Sequence, residues 1–390
     1  MQLMKIAQVL SRKPSVQRTK RRVFTLLLLV GLLILGGSGQ VLARGNDATA
    51  VYVMNNDADA NAVLVFERAA DGTLSEAGSY PTGGAGTGGG LGSQGAVALS
   101  DNGRYLFVVN AGSHEVSVFA ANGTALHLTD TVPSGGERPI SLTVHGRILY
   151  VLNAGGSGNI TGFFIRGNGR LSPIPHSTQH LSNDGVGAAP GPAQVSFSPD
   201  GRQLVVTEKA SNLILTYDVR RSGQATAPHS NSSEGMTPFG FDFTPWGTLI
   251  VSEAFGGAAN ASAASSYNIS HGQLQTVSSS VPTHQTAACW VIVTPDGKYA
   301  YTTNTGSSSV SGYAVSPNGS LDLLDADGRT GETGEGSSPI DAIISSDGQT
   351  LYVLSGGTNT VTAFHIAADG SLTNLGHVSV PAGSVGIEAR

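Results

Sequence analysis

Seven times along the chain a run of alternating apolar residues ends on a small or polar one: VYVMN (Val51–Asn55), LFVVN (Leu106–Asn110), LYVLN (Leu149–Asn153), LVVTE (Leu204–Glu208), LIVSE (Leu249–Glu253), AYTTN (Ala300–Asn304) and LYVLS (Leu351–Ser355). Their last residues lie 43 to 55 positions apart. The internal period is two, and Val, Leu and Tyr dominate, so each run is a buried β-strand rather than a helix face. The same grammar surrounds each run. A first strand precedes most of them (QGAVALS, RPISLTV, GPAQVSF, TPFGFDF, AACWVIV, SPIDAII), followed by a turn such as SDNG, SPDG, TPDG or SSDG. Asn-Gly and Asp-Gly supply the positive φ of a tight hairpin. A third strand (EVSVFA, NITGFFI, NLILTYDV, SVSGYAV, TVTAFHI) and a fourth (GRLSPI, GSLTNLG) complete the unit.

Four antiparallel strands in a unit of about 50 residues, repeated seven times, predict an all-β fold, a seven-bladed β-propeller. The first unit lacks its own first strand. The chain instead ends in AGSVGIEAR (Ala382–Arg390), which is similar to LGSQGAVAL (Leu91–Leu99), a first strand. The C-terminal strand is therefore expected to complete the first blade and close the ring, leaving no open sheet edge.

Composition narrows the class further. Among 390 residues there are 53 Gly, 17 Pro and a single Cys, and charged residues make up only 12%. One cysteine excludes a disulfide scaffold. Residues 1–43 hold seven of the 21 basic residues and no acid. An apolar run from Val23 to Leu35 follows the basic stretch, and Val41 and Ala43 suit a signal-peptidase site. Residues 1–43 therefore read as a signal peptide and 44–390 as one propeller domain, exported to the periplasm or the extracellular space. The apolar run is shorter than a spanning helix needs, so no stable membrane insertion is expected after cleavage, with an uncleaved anchor as the alternative. Arg21-Arg22-Val23-Phe24 fits part of a twin-arginine signal. The remaining chain keeps 14 basic residues against 27 acidic ones, a formal charge of −13. Such a surface repels phosphate backbones, so no nucleic-acid partner is expected. Nothing in the pattern calls for an obligate oligomer, and the expected state is a monomer.

In this architecture the starts of first strands and the ends of second strands share one face of the ring, the channel mouth. That places Asn110, Glu208, Glu253 and Asn304 there, with Arg138, Gln194, His284 and Asp341 near the first-strand starts. A hydrolytic site at such a mouth needs an activated water and a group that holds the developing oxyanion. Glu208 and His284 are candidate bases and Arg138 a candidate clamp. Gln194, Glu253, Asp341, Asn110 and Asn304 are candidate substrate-binding residues. The run DADAN (Asp57–Asn61) starts like a calcium loop but lacks the sixth-position Gly and twelfth-position Glu, so no metal or other cofactor is expected. The stretch GGAGTGGGLG (Gly83–Gly92) has no strand–helix context for phosphate and reads as a flexible loop.

The segment GPAQVSFSPDGRQLVVTEKASNLILTYDV (Gly191–Val219) resembles the repeat of the seven-bladed lactonase family, which includes 6-phosphogluconolactonase-like proteins and fungal carboxymuconate-lactonizing enzymes. The likeness runs through all seven units. By this resemblance Glu208 falls on the family's Glu, while Ala193-Gln194 stand where the family often has Arg-His. The resemblance implies hydrolysis or isomerisation of a small lactone or a carbohydrate-like ligand. With two Lys after position 43 (Lys209, Lys298), a phosphorylated lactone is not the expected substrate. The alternative is a non-catalytic exported propeller that binds a protein, glycan or small ligand.

Overall fold

The structure, a computed structural model, describes residues 49–390; the signal-peptide reading of residues 1–43 lies outside the described residues. Seven antiparallel sheets form the blades, each with a first strand lining the channel and three more stepping outward. The first strands are Val385–Ala389, Val97–Leu99, Pro139–His145, Pro192–Phe197, Pro238–Phe243, Ala288–Val293 and Pro339–Ile344, for blades 1 to 7. Successive first strands neighbour one another around the ring, and Val385–Ala389 lies between those of blades 7 and 2. Blades 3 and 6 carry a short additional strand on the third strand. The only helical turn among the described residues is a 3-10 turn at Phe255–Gly257.

Closure occurs as the pattern predicts. Val385–Ala389 pairs antiparallel with Ala50–Met54, matching Val51 with Ala389 and Val53 with Ile387. The second strands are buried on both faces (Ala50–Met54, Leu249–Glu253 and Thr350–Ser355 throughout), which is why they are the most apolar runs in the chain. Their tyrosines also join blades. Tyr52 donates to Gly123 O at 2.6 Å, Tyr150 to Gly223 O at 2.8 Å, Tyr301 to Gly370 O at 2.8 Å and Tyr352 to Gly72 O at 2.8 Å. Each acceptor is a glycine at the outer turn of the next blade. A buried hydroxyl needs such a partner, and the repeat supplies one at each of these four joints.

Four hairpins at the far end from the mouth, in blades 2, 4, 6 and 7, follow one rule. Ser100, Ser198, Thr294 and Ser345 each donate to the Asn or Asp two residues on (Asn102, Asp200, Asp296, Asp347) at 2.6–2.9 Å. The same side-chain oxygens accept the backbone N–H two residues further along. Blade 3 makes a shorter turn, His145–Ile148, without this pair, and blade 5 keeps the Thr but has Trp246 in the acidic position.

Two expectations change. The first strand of blade 2 is only Val97–Leu99, because Leu91–Gly95 leaves the blade and runs across the channel. Gln94 donates to Val291 O at 2.7 Å and accepts Val291 N–H at 3.1 Å, reaching blade 6. Its own N–H donates to Ala193 O of blade 4 at 3.2 Å, and Trp290 Nε1 donates to Ser93 O at 2.9 Å. Second, Gly83–Gly92 is not a free loop. Gly86 N–H donates to Asp57 O and Gly88 N–H to Asn56 O. A Cβ on Gly86 would lie 2.3 Å from the Asn56 carbonyl, so this glycine serves close backbone approach rather than mobility.

Candidate functional site

The crossing segment Leu91–Gly95 divides the candidate residues into three groups. Arg138 and His284 lie exposed at the mouth, both with left-handed backbone (φ 53° and 57°). Gln194 and Asp341 lie in the channel beneath the bar. Glu208, Glu253, Asn110 and Asn304 are fully buried inside their blades.

The buried group is held by neighbours. Glu208 accepts from Ser182 N at 3.0 Å, Ser182 Oγ at 2.5 Å and Ser211 Oγ at 2.6 Å. Glu253 accepts from Gly235 N at 2.9 Å and from Ser265 Oγ and Ser280 Oγ at 2.5 Å each. Burial raises the Glu253 carboxyl above its ordinary range against the pull of those donors. Asn110 bridges Asn61, Thr82 and Ser117, and Asn304 donates to Ser309 and Ser311. These second-strand ends reach the mouth end of the ring, but their side chains brace the outer strands and the loops between blades. Replacing Glu208 by Gln leaves one of three donors facing an amide N–H, so a loss on the order of 1–3 kcal/mol is expected, read as a lower denaturant midpoint with an unchanged slope.

Gln194 bridges blades in the manner of a strand backbone. It donates to Phe241 O at 2.9 Å and accepts Phe241 N–H at 2.7 Å. Below it, a cavity of about 230 Å³ is lined by three acids from three blades, Asp242, Asp341 and Glu388, and by no basic side chain. Among the described residues, no three His, Cys, Asp or Glu side chains converge closely enough to hold a metal ion. Asp341 Oδ1 accepts Ala342 N–H at 2.9 Å, and its Oδ2 has no hydrogen-bond partner.

A backbone hydrogen bond that recurs at the mouth picks out two residues that no motif marks. In blades 3 to 7 the residue before the first strand accepts a hydrogen bond from the residue just after the second: Arg138 from Ala154, Gly191 from Lys209, Thr237 from Ala254, Ala287 from Thr305, Ser338 from Gly356. All five acceptor residues have positive φ, a conformation glycine takes without strain. Eight of these ten residues are Gly, Ala, Ser or Thr; the other two, Arg138 and Lys209, are charged and sit on adjacent blades. Arg138 is thus a charged residue at a position that favours glycine, a departure that structure alone does not require, and Lys209 is the one charged residue among the five donors.

Lys209 is the more enclosed of the two. Its Nζ donates to Gly92 O of the bar at 2.5 Å and lies 4.4 Å from the centroid of the Phe239 ring. Burial pulls its ammonium down to about 8, with the Cys289 thiol opposing and the charge of Arg138 adding to the effect. Phe239 in turn packs on Trp290, ring centroids 4.9 Å apart. Cys289 is inert, because burial pushes its thiol up to about 11. The Arg138 N–H donates to His114 Nδ1 at 2.9 Å, which leaves the proton of a neutral His114 on Nε2, facing outward as a donor. The mouth thus carries two cations on adjacent blades, Arg138 with its N–H on the His114 imidazole and Lys209 against the Phe239 ring.

The comparisons with known proteins agree with this architecture. The family model described as Lactonase, 7-bladed beta-propeller matches residues 42–182, 157–289 and 266–384. The chain belongs to this seven-bladed β-propeller lactonase family. A Bacteroides uniformis structure named as a candidate 6-phosphogluconolactonase superposes with a TM-score of 0.70 at 18% identity, covering 88% of this chain and 100% of that one. The Pseudomonas aeruginosa periplasmic gluconolactonase superposes with a TM-score of 0.66 at 17% identity, covering 88% and 98%. At these identities the structural likeness concerns the fold. No curated protein matches the chain.

Proposed function

We propose that this propeller is an exported lactonase that hydrolyses a small, non-phosphorylated lactone at the channel mouth. Family membership supports the reaction class, and the adjacent cations Arg138 and Lys209 are the observation that carries the site. Water adds to the lactone carbonyl carbon, Arg138 and Lys209 hold the oxyanion, and the ring C–O bond then breaks to give a hydroxy acid. His284, the exposed imidazole on the connection from blade 5 to blade 6, takes the water proton and returns it to the departing ring oxygen. Glu208 is not assigned this role, because taking a proton would break one of its three accepted hydrogen bonds; it braces the strand end that carries Lys209. The bar supplies the floor, so substrate rests on the mouth rather than threading the channel. Two cations suit a carbonyl oxygen or one carboxylate, whereas a phosphate dianion is better served by a larger cluster.

One observation favours the second reading, a non-catalytic exported propeller that binds a protein, glycan or small ligand: both glutamates at the second-strand ends have their carboxylates occupied. Proton release from a panel of aliphatic, sugar and aromatic lactones separates the two. Turnover of at least one lactone is expected, with Lys209→Met and Arg138→Ala each lowering kcat/KM about 100- to 1,000-fold while far-UV circular dichroism stays unchanged. Activity should also fall as pH rises through about 8, where Lys209 loses its proton. Turnover that survives both substitutions rejects the site; absence of turnover on the whole panel rejects the enzyme.

A further inference from the structure

We propose that the groove between the blade 4 and blade 5 hairpins, on the face opposite the mouth, binds a neutral carbohydrate, with one pyranose ring stacked on Trp246 and its hydroxyls meeting Asp200 and Gln203.

The blade 5 hairpin departs from the bonding of four others. At four hairpins an Asn or Asp closes the turn with two hydrogen bonds through its side chain. In blade 5 Trp246 occupies that position, and only the Thr244 hydroxyl remains to accept Thr248 N–H, at 3.0 Å. The substitution gives up local bonding and leaves the indole 49% exposed, whereas Trp290, the other tryptophan, is 5% exposed. Large apolar rings left at a surface in place of a better local residue mark contact sites.

The ring is held in place. A Cβ on Gly297, in the blade 6 hairpin, would come within 2.4 Å of the indole, so Trp246 rests on that backbone and is oriented by it. Beside it lies a groove of about 380 Å³ lined by Phe243, Trp246 and Ile269 of blade 5 and by Ser198, Asp200 and Gln203 of blade 4. This volume falls in the range of small-ligand sites. The fold itself produces such grooves: the space between the blade 6 and blade 7 hairpins is similar, but Asp347 stands there in the place of Trp246, bonded to Arg68 at 2.8 Å. That groove's own aromatic, Tyr299, is tied through its hydroxyl to Ala368 O at 3.0 Å, so what distinguishes the blade 4–5 groove is the exposed indole.

A sugar ring has an apolar C–H face and a rim of hydroxyls. An indole flanked by a carboxylate and an amide matches both at once. A lipid or an apolar peptide would leave Asp200 and Gln203 facing hydrocarbon. A nucleic acid would meet Asp200 and Asp218, the latter accepting from Gln203 at 3.3 Å, with like charge. Asp200 also keeps its turn bonds to Ser198 and Arg202, leaving Oδ2, 3.6 Å from Arg202 Nε, toward solvent.

Affinity electrophoresis through gels containing soluble neutral polysaccharides (glucan, xylan, galactomannan), with intrinsic fluorescence titration of the wild type by the matching oligosaccharides, tests this. Expected are retardation in at least one gel and saturable quenching with a blue shift, since only Trp246 is open to solvent. Trp246→Ala should remove the retardation, Trp246→Phe should keep most of it, and Gln203→Ala should weaken binding about tenfold. All three should melt as the wild type does. No retardation on any polysaccharide, or retardation unchanged in Trp246→Ala, overturns the proposal. So does a concentration-dependent dimer in sedimentation that Trp246→Ala abolishes, which would assign the indole to self-association. The readout involves no lactone, so it stands apart from the catalytic reading.

Discussion

Deleting Gly383–Arg390 should yield a protein that aggregates or melts at least about 10 °C below the full chain. The removed strand buries Val385, Ile387 and Ala389. Fully burying a residue such as Val or Ile is worth about 1.5–3 kcal/mol. The larger loss is the joint itself. Ile387 and Ala389 share one apolar cluster with Val51 and Val53 of blade 1 and Tyr352, Leu354 and Val361 of blade 7, so the deletion unseats two blades from each other. It also exposes the wholly buried strand Ala50–Met54 as an open edge, with Ala50 O losing the Arg390 N–H at 2.9 Å. Such an edge pairs readily with other chains. Scanning calorimetry and size-exclusion chromatography at pH 5 check the outcome; a soluble monomer with the parent melting temperature would show that closure contributes little. The milder Ile387→Ala should stay soluble and lose about 2–5 kcal/mol.

That the ring closes was legible because closure is written in strands, and strands are written in alternation and turn residues. AGSVGIEAR carries the period of a first strand, and the first unit visibly lacks one. The site was less legible, for a physical reason. Second-strand ends were expected at the mouth and are there, but whether a side chain points into the channel or back into the blade depends on partners distant in sequence. Glu208 turns to Ser182 and Ser211, and Asn110 to Asn61 and Thr82, contacts no local pattern announces. Likewise the glycines before Leu91 look like a flexible loop until the bar they deliver is seen bonded to Val291 and Ala193. Lys209 was recoverable from sequence: aligning the residue after each second-strand end gives Asn56, Ala111, Ala154, Lys209, Ala254, Thr305 and Gly356, with one charge among them. The signal lay in the departure from the repeat, not in a motif, and the same is true of Trp246.

The channel acids should make this protein most stable near pH 5 and markedly less so near pH 7–8. Asp242, Asp341 and Glu388 line one cavity from blades 5, 7 and 1 without a compensating cation. Asp242 and Glu388 are part-buried on the channel wall, yet protein surrounds them on all sides, and that enclosure disfavours their charged forms. Burial raises Asp242 to about 6 and Glu388 to about 7, in each case against two accepted backbone N–H bonds; Asp341 is also raised, by burial and then by the charge of Glu388. The sign follows from proton linkage. An acid whose folded pKa exceeds its unfolded value binds more protons when folded, so stability is full below the unfolded value, near 4, and declines as pH rises through the folded one. A shift of two units corresponds to about 3 kcal/mol per group, and the coupled acids titrate together rather than one by one. Below pH 4 the trend reverses, because Asp200, Asp296 and Asp347 are held below the usual carboxylate range by turn hydrogen bonds that protonation weakens. Above pH 8 it eases again: Lys209, lowered to about 8, sheds a proton more readily in the folded state, and stability rises toward its unfolded value. Asp341→Asn is the cleanest probe, since Oδ1 keeps its bond to Ala342 N–H and the new amide replaces an oxygen with no hydrogen-bond partner. At constant ionic strength it should raise the melting temperature at pH 8, leave it nearly unchanged at pH 4, and flatten the slope between. A wild-type melting temperature that climbs from pH 5 to pH 8 would mean that the channel carboxylates ionise freely in the folded ring.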